Sequence, residues 1–145
     1  MISECADQSE LKDNLRAAKA ILEAFPDTEI KIRQHVIEEG VKNPEYDING
    51  SLADRKGIAG LNGVADGFKK AIKQGCSIVV IDLDKQMADI EVDMRHLSRR
   101  IYNRKNDFIN GVIEACYVVY KNKAVRIIGY REKNEIESIL NGLRP

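Results

Sequence analysis

Asn43-Pro44-Glu45-Tyr46-Asp47-Ile48-Asn49-Gly50-Ser51-Leu52-Ala53-Asp54-Arg55-Lys56 is the stretch that decides how this chain folds. Asn49-Gly50 separates two short runs of alternating apolar and polar residues, the strongest local signature of a two-residue type I′ hairpin. The turn sets the register: Ile48 opposes Ser51, Asp47 opposes Leu52, Tyr46 opposes Ala53, and Glu45 opposes Asp54. Side chains alternate across a strand, which predicts Tyr46, Ile48 and Ala53 on one face and Glu45, Asp47, Asp54 and Lys56 on the other. Like charges directly opposite one another cost about 0.2–1 kcal/mol. A cation, either Lys56 or a divalent metal, would reverse that cost. A half-buried hairpin carries a charged outer face in any case, so the pattern admits a catalytic reading and a plain surface reading.

Working outward, Leu11, Leu15, Ala18, Ile21 or Leu22, and Phe25 recur at helical spacing. With Ser9 as N-cap and Pro26 as terminator they predict a helix over 9–25. Over 28–36 the period shortens: Ile30, Ile32 and Val36 alternate with Lys31, Arg33 and His35, which predicts a strand. After the hairpin, Gly57, Gly60 and Gly63 form a connection into a helix over 63–74. Ser77-Ile78-Val79-Val80-Ile81-Asp82-Leu83 is almost continuously apolar and β-branched, as a strand covered on both faces must be. A polar helix is predicted over 87–106, then two strands around Asn122-Lys123, and a closing helix over 131–143. The order α-β-β-β-α-β-α-β-β-α predicts one α/β (α+β) domain spanning 1–145, with a mixed central sheet and helices packed on it.

The chain has 145 residues, 43% of them apolar, enough for one domain with a single core. Its 23 basic and 23 acidic residues cancel, so a nucleic-acid surface would have to be a local patch. Three widely spaced cysteines, Cys5, Cys76 and Cys116, argue against a disulfide framework or a structural zinc site. No stretch approaches the ~18 apolar residues of a membrane span.

One local patch stands out: Arg95-His96-Leu97-Ser98-Arg99-Arg100-Ile101-Tyr102-Asn103-Arg104-Lys105. On a helix Arg95, Arg99 and Tyr102 share a stripe beside His96, Arg100 and Arg104. Such a surface suits a phosphate backbone, with Tyr102 to stack on a base. It equally suits a solvated helix face whose cations offset the C-terminal dipole.

The hairpin reads Pro-acid-aromatic-x-Ile-x-Gly and then acid-x-Lys. In this it resembles the PD-(D/E)xK, or restriction-endonuclease-like, nucleases. It is more similar still to the C-terminal tRNA-nuclease domains of contact-dependent growth-inhibition toxins and to related toxin domains of phage head proteins. The resemblance runs over roughly residues 10–128, and its specific part is 43–56 with the Val79-Val80-Ile81-Asp82-Leu83 strand. It implies a catalytic set of Glu45, Asp54 and Lys56, with Glu and Asp each replacing the usual other carboxylate, and with Asp47 as a substitute ligand. It implies a toxin that cuts RNA, tRNA above all, in a bacterial cytoplasm. Delivery to target cells would be as part of a larger protein, and an immunity protein would restrain it in the producer.

Two mechanisms fit these residues. In one, Glu45 and Asp54 hold Mg²⁺ or another divalent metal, which polarises the phosphate and activates water while Lys56 stabilises developing charge. In the other no metal is needed, because RNA carries its own 2′-hydroxyl nucleophile; His35, on the polar face with Lys31 and Arg33, supplies acid–base chemistry. The nucleic-acid surface would comprise Arg95, Arg99, Arg100, Tyr102, Arg104 and Lys105. A metal-dependent DNA nuclease and a non-catalytic phage or protein-binding module are the alternatives.

Overall fold

The computed structural model describes residues 4–33 and 44–144. The hairpin forms as its turn chemistry requires: Asn49 (φ 50°) and Gly50 (φ 90°) carry the two positive dihedrals of a type I′ turn. It joins β2 (Tyr46–Ile48) to β3 (Ser51–Gly57) in the expected register, with Tyr46 opposite Ala53, Asp47 opposite Leu52 and Ile48 opposite Ser51. Upstream lie α1 (Glu4–Ala24) and β1 (Ile30–Ile32). Downstream come α2 (Gly63–Lys73), β4 (Ile78–Asp82), α3 (Met94–Tyr102), α4 (Lys105–Ile109), β5 (Ala115–Tyr120), β6 (Lys123–Ile128) and α5 (Lys133–Leu140).

The six strands form one mixed sheet in sequence order. β3, β4 and β5 run parallel, and the outer pairs are antiparallel. The two parallel crossovers, through α2 and through α3–α4, step across the sheet in the same direction. Right-handed connections therefore put those helices on one face. Their side chains build the larger core there: Val64, Phe68, Leu97, Ile101 and Phe108 pack on Val79, Ile81, Cys116 and Val118. The other face belongs to α1, where Ala17, Ala18, Ala20 and Ile21 meet Tyr46, Ala53, Val80, Tyr117 and Val119. β4 is buried at all five positions, as its unbroken apolar run predicts.

Four expectations need correction. α1 extends to Glu4, so Ser9 is inside the helix and not its cap. The face that α1 buries is also rotated: Leu11, Leu15 and Leu22 are exposed, whereas Asn14 and three alanines point inward. Small side chains let the helix lie close to the sheet, and Asn14 has buried polar partners there. The helix expected from residue 87 begins only at Met94, where Asp93 caps it by accepting from the amides of Arg95 (3.0 Å) and His96 (3.3 Å). Before it, Met87 and Val92 both turn into the core, a five-residue spacing that no helix places on one face. Asp89, Glu91 and Asp93 therefore precede the basic helix and form none of its turns. The second hairpin turns at Lys121-Asn122, one residue earlier than expected, with both at positive φ.

Candidate active site

Alternation along β3 sends Asp54 and Lys56 toward α2 and sends Ala53 and Arg55 toward α1. Lys56 Nζ lies 3.8 Å from Asp66 Oδ2 on α2, and Lys70 Nζ lies 3.3 Å from the same oxygen. Two ammonium groups thus share one carboxylate. The neighbouring Lys70, then partial burial, hold Lys56 below the usual lysine range, although Asp66 and Asp54 pull the other way. Gly67, one turn along α2, makes room for this arrangement. A Cβ there would stand 3.1 Å from Lys56 Cγ and 3.2 Å from Ile81 Cδ1. Gly67→Ala should leave the melting temperature almost unchanged, because a helix-propensity gain of about 1 kcal/mol offsets the crowding. It should still reduce activity about tenfold by displacing the Lys56 stem; unchanged activity in a stable variant would refute this.

Glu45 precedes β2 and is 6% exposed. Its Oε2 accepts from Asn14 Nδ2 of α1 at 2.8 Å. Burial first, and a hydrogen bond with Glu10 of α1 second, push its carboxyl up to about 7, with the charge of Asp54 adding to the effect and the Asn14 donation opposing it. Glu45 is thus held by α1 and not on the Asp54–Lys56 face that strand alternation predicts, because the docked helix offers it Asn14 and Glu10; the charge of Asp54 still acts on it, and on Lys56 beside Asp66 and Lys70. Lys56 lies near the carboxyl end of β3, where that strand runs parallel to β4.

The raised carboxyl has a consequence for stability. Its folded value of about 7 exceeds the ordinary glutamate value of 4.5, so its contribution is full below the lower figure and is lost as pH rises through the higher one. In EDTA, Glu45→Gln should therefore gain on the wild type between pH 5.5 and 8, by on the order of 2 kcal/mol in denaturant unfolding. Parallel pH profiles for the two proteins would rule this out.

The remaining sequence candidates divide clearly. Asp47 is engaged at the hairpin turn, where its Oδ1 accepts from Gly50 N at 2.8 Å, so it does not join the carboxylate cluster. His35 lies outside the described residues. On α3, Arg95 and Arg99 are exposed, and Arg100 Nε lies 3.2 Å from His96 Nε2. Lys105 Nζ sits 4.8 Å from the Tyr102 ring centre. Arg104 is committed to structure, paired with Asp107 at 2.7 Å and lying over Phe68. α2, which packs on β3, β4 and α3, also carries the exposed Lys69 and Lys73 beside Lys70. The sequence reading missed those lysines, whose Lys-Lys-x-x-Lys spacing was the available signal. It also missed Glu10 and Asn14, for which no local signal exists.

Among the described residues no three carboxylates, imidazoles or thiols are placed to ligate one ion. Glu45 and Asp54 are hard oxygen donors of the type Mg²⁺ takes when water completes its shell. Among the described residues, no helix is long and apolar enough to cross a membrane.

No protein-family model and no curated protein matches the chain. Among solved structures, a CdiA-CT/CdiI toxin and immunity complex from Burkholderia pseudomallei is similar to it, with a TM-score of 0.53 and 20% identity over 88% of this chain and 90% of that one. At that identity the likeness establishes the fold.

Proposed function

We propose that this domain is a nuclease toxin that cleaves RNA phosphodiester bonds, with tRNA as its substrate. The observation that carries the proposal is Asp54 and Lys56 on one face of β3, with Lys56 and Lys70 sharing Asp66 of α2 and with Glu45 immediately before the adjoining strand β2. The likeness in fold to a growth-inhibition toxin adds support. Lys56 stabilises charge developing on the phosphate, and Lys70 holds a neighbouring phosphate oxygen. A proton on Lys56, held less tightly because of Lys70, can be given to the leaving oxygen. Lys69 and Lys73, with Arg95 and Arg99, supply an electrostatic track for the RNA backbone.

Glu45 and Asp54 would hold Mg²⁺, which when bound supplies a Lewis acid and an activated water. The solved neighbour is a toxin bound to its immunity protein. By the same logic, an acidic partner that covers the lysine-bearing face would silence this domain in its producer. The domain would act in the cytoplasm of a target bacterium.

The test is cleavage of total tRNA and of plasmid DNA by the purified domain, each in Mg²⁺ and in EDTA. Cleavage of tRNA alone is the expected result. Cleavage of the plasmid alone would indicate a DNA nuclease, and an inert protein on both would indicate a binding module.

A further inference from the structure

Arg55 stands between Asp54 and Lys56 in β3 but points through to the opposite face of the sheet. Its side chain is 8% exposed. There its Nε donates to Asn14 Oδ1 at 2.7 Å, and its Nη1 donates to Asp82 Oδ2 at 3.0 Å. Asp82 ends β4, is wholly buried, and also accepts from Arg16 Nη2 at 2.6 Å and from the Asp84 amide at 3.1 Å. The Asn14 backbone carbonyl accepts from the Tyr46 hydroxyl at 2.8 Å, which ties this turn of α1 to β2.

A guanidinium can only donate, so the atom that Asn14 turns toward Arg55 must be its carbonyl oxygen. That leaves the amide nitrogen facing Glu45, where it donates to Oε2 at 2.8 Å. Without Arg55 the two ends of the amide could exchange, and a carbonyl oxygen would face the carboxyl. We propose that Asn14, Arg55 and Asp82 form a positioning relay that sets the orientation of the Glu45 carboxyl in the active site. The proposal rests on the nuclease reading above. None of the three residues is placed to touch substrate. β3 would thus present reacting groups on one face and their brace on the other.

Asn14→Asp tests the relay with little change of shape, because it keeps the acceptor for Arg55 and replaces the donor to Glu45 by an acceptor. The expected result is a fall of at least tenfold in kcat on tRNA with KM unchanged, measured on folded protein. Arg55→Gln leaves Asn14 and Glu45 in place and tests the same relay should Asn14→Asp fail to fold. In it the Asn14 side-chain amide signals in ¹⁵N-resolved NMR should shift or broaden as the amide loses its fixed orientation. Wild-type kcat in a folded Asn14→Asp protein, or unmoved Asn14 signals in Arg55→Gln, would overturn the relay while the nuclease reading stands. A wild-type protein inert on both RNA and DNA would instead sink that reading, and the positioning role with it.

Discussion

If the proposed tRNA cleavage holds, Lys56→Ala should lower it by about 100- to 1,000-fold, the usual cost of deleting one preorganised electrostatic stabiliser. The residue is 29% exposed, so it can reach substrate, and its stem is flanked by Gly67 and Ile81, so its position is set before substrate arrives. Removing it leaves Lys70 3.3 Å from Asp66. Part of the positive field therefore survives, and cleavage should fall without vanishing. Lys56→Arg keeps the charge but lengthens the side chain and fixes it in a planar fork, and should recover only a minor share. The melting temperature should stay close to that of the wild type, because no buried partner loses its counter-charge. The measurement is initial cleavage rate on total tRNA beside thermal unfolding of the same samples. Equal rates for wild type and Lys56→Ala would remove Lys56 from the mechanism.

The largest effect on stability should come from Asp82→Ala, a loss of about 3–5 kcal/mol. Asp82 has no exposed surface and receives four hydrogen bonds, two from Arg16, one from Arg55 and one from the Asp84 amide. Deleting the carboxylate takes its paired anion from the Arg55 guanidinium, which is 8% exposed, while Arg16, 28% exposed, keeps Asp13 at 3.4 Å. Uncompensated charge in such a place costs more than the ion pair itself contributes. Asp82→Asn keeps the shape and part of the acceptor capacity, so it should lose less than Asp82→Ala. Chemical denaturation at neutral pH measures both. A loss under 1 kcal/mol for Asp82→Ala would mean that the arginines find water or other acceptors.

Much of this architecture was legible because local rules act over few residues. Asn49-Gly50 prefers positive φ at both positions, and once the turn exists the register of Tyr46, Asp47 and Ile48 against β3 has no freedom. The apolar run of β4 likewise could only be a strand covered on both sides. Local rules failed at α1. There the leucines carry the stronger hydrophobic signal, yet the buried stripe is Asn14, Ala17, Ala18, Ala20 and Ile21. Helix periodicity states which residues share a face but not which face the sheet will accept. The rules failed again over 87–93, where two buried side chains and the Tyr120 hydroxyl donating to the Ile90 carbonyl hold an irregular path.

For the site, the sequence by itself determined the acid-x-Lys pair of Asp54 and Lys56, because residues two apart on a strand share a face whatever surrounds them. Only the tertiary structure decided what stands around that pair. Glu10 and Asn14 come from α1, Lys70 and Asp66 from α2, and Asn14 meets Arg55 across 41 residues of sequence. Such meetings depend on how closely helices dock on the two faces of a sheet, and docking follows from the volume and burial of the whole core. The same docking buried Glu45 beside Glu10, a neighbour that no spacing in the hairpin could disclose.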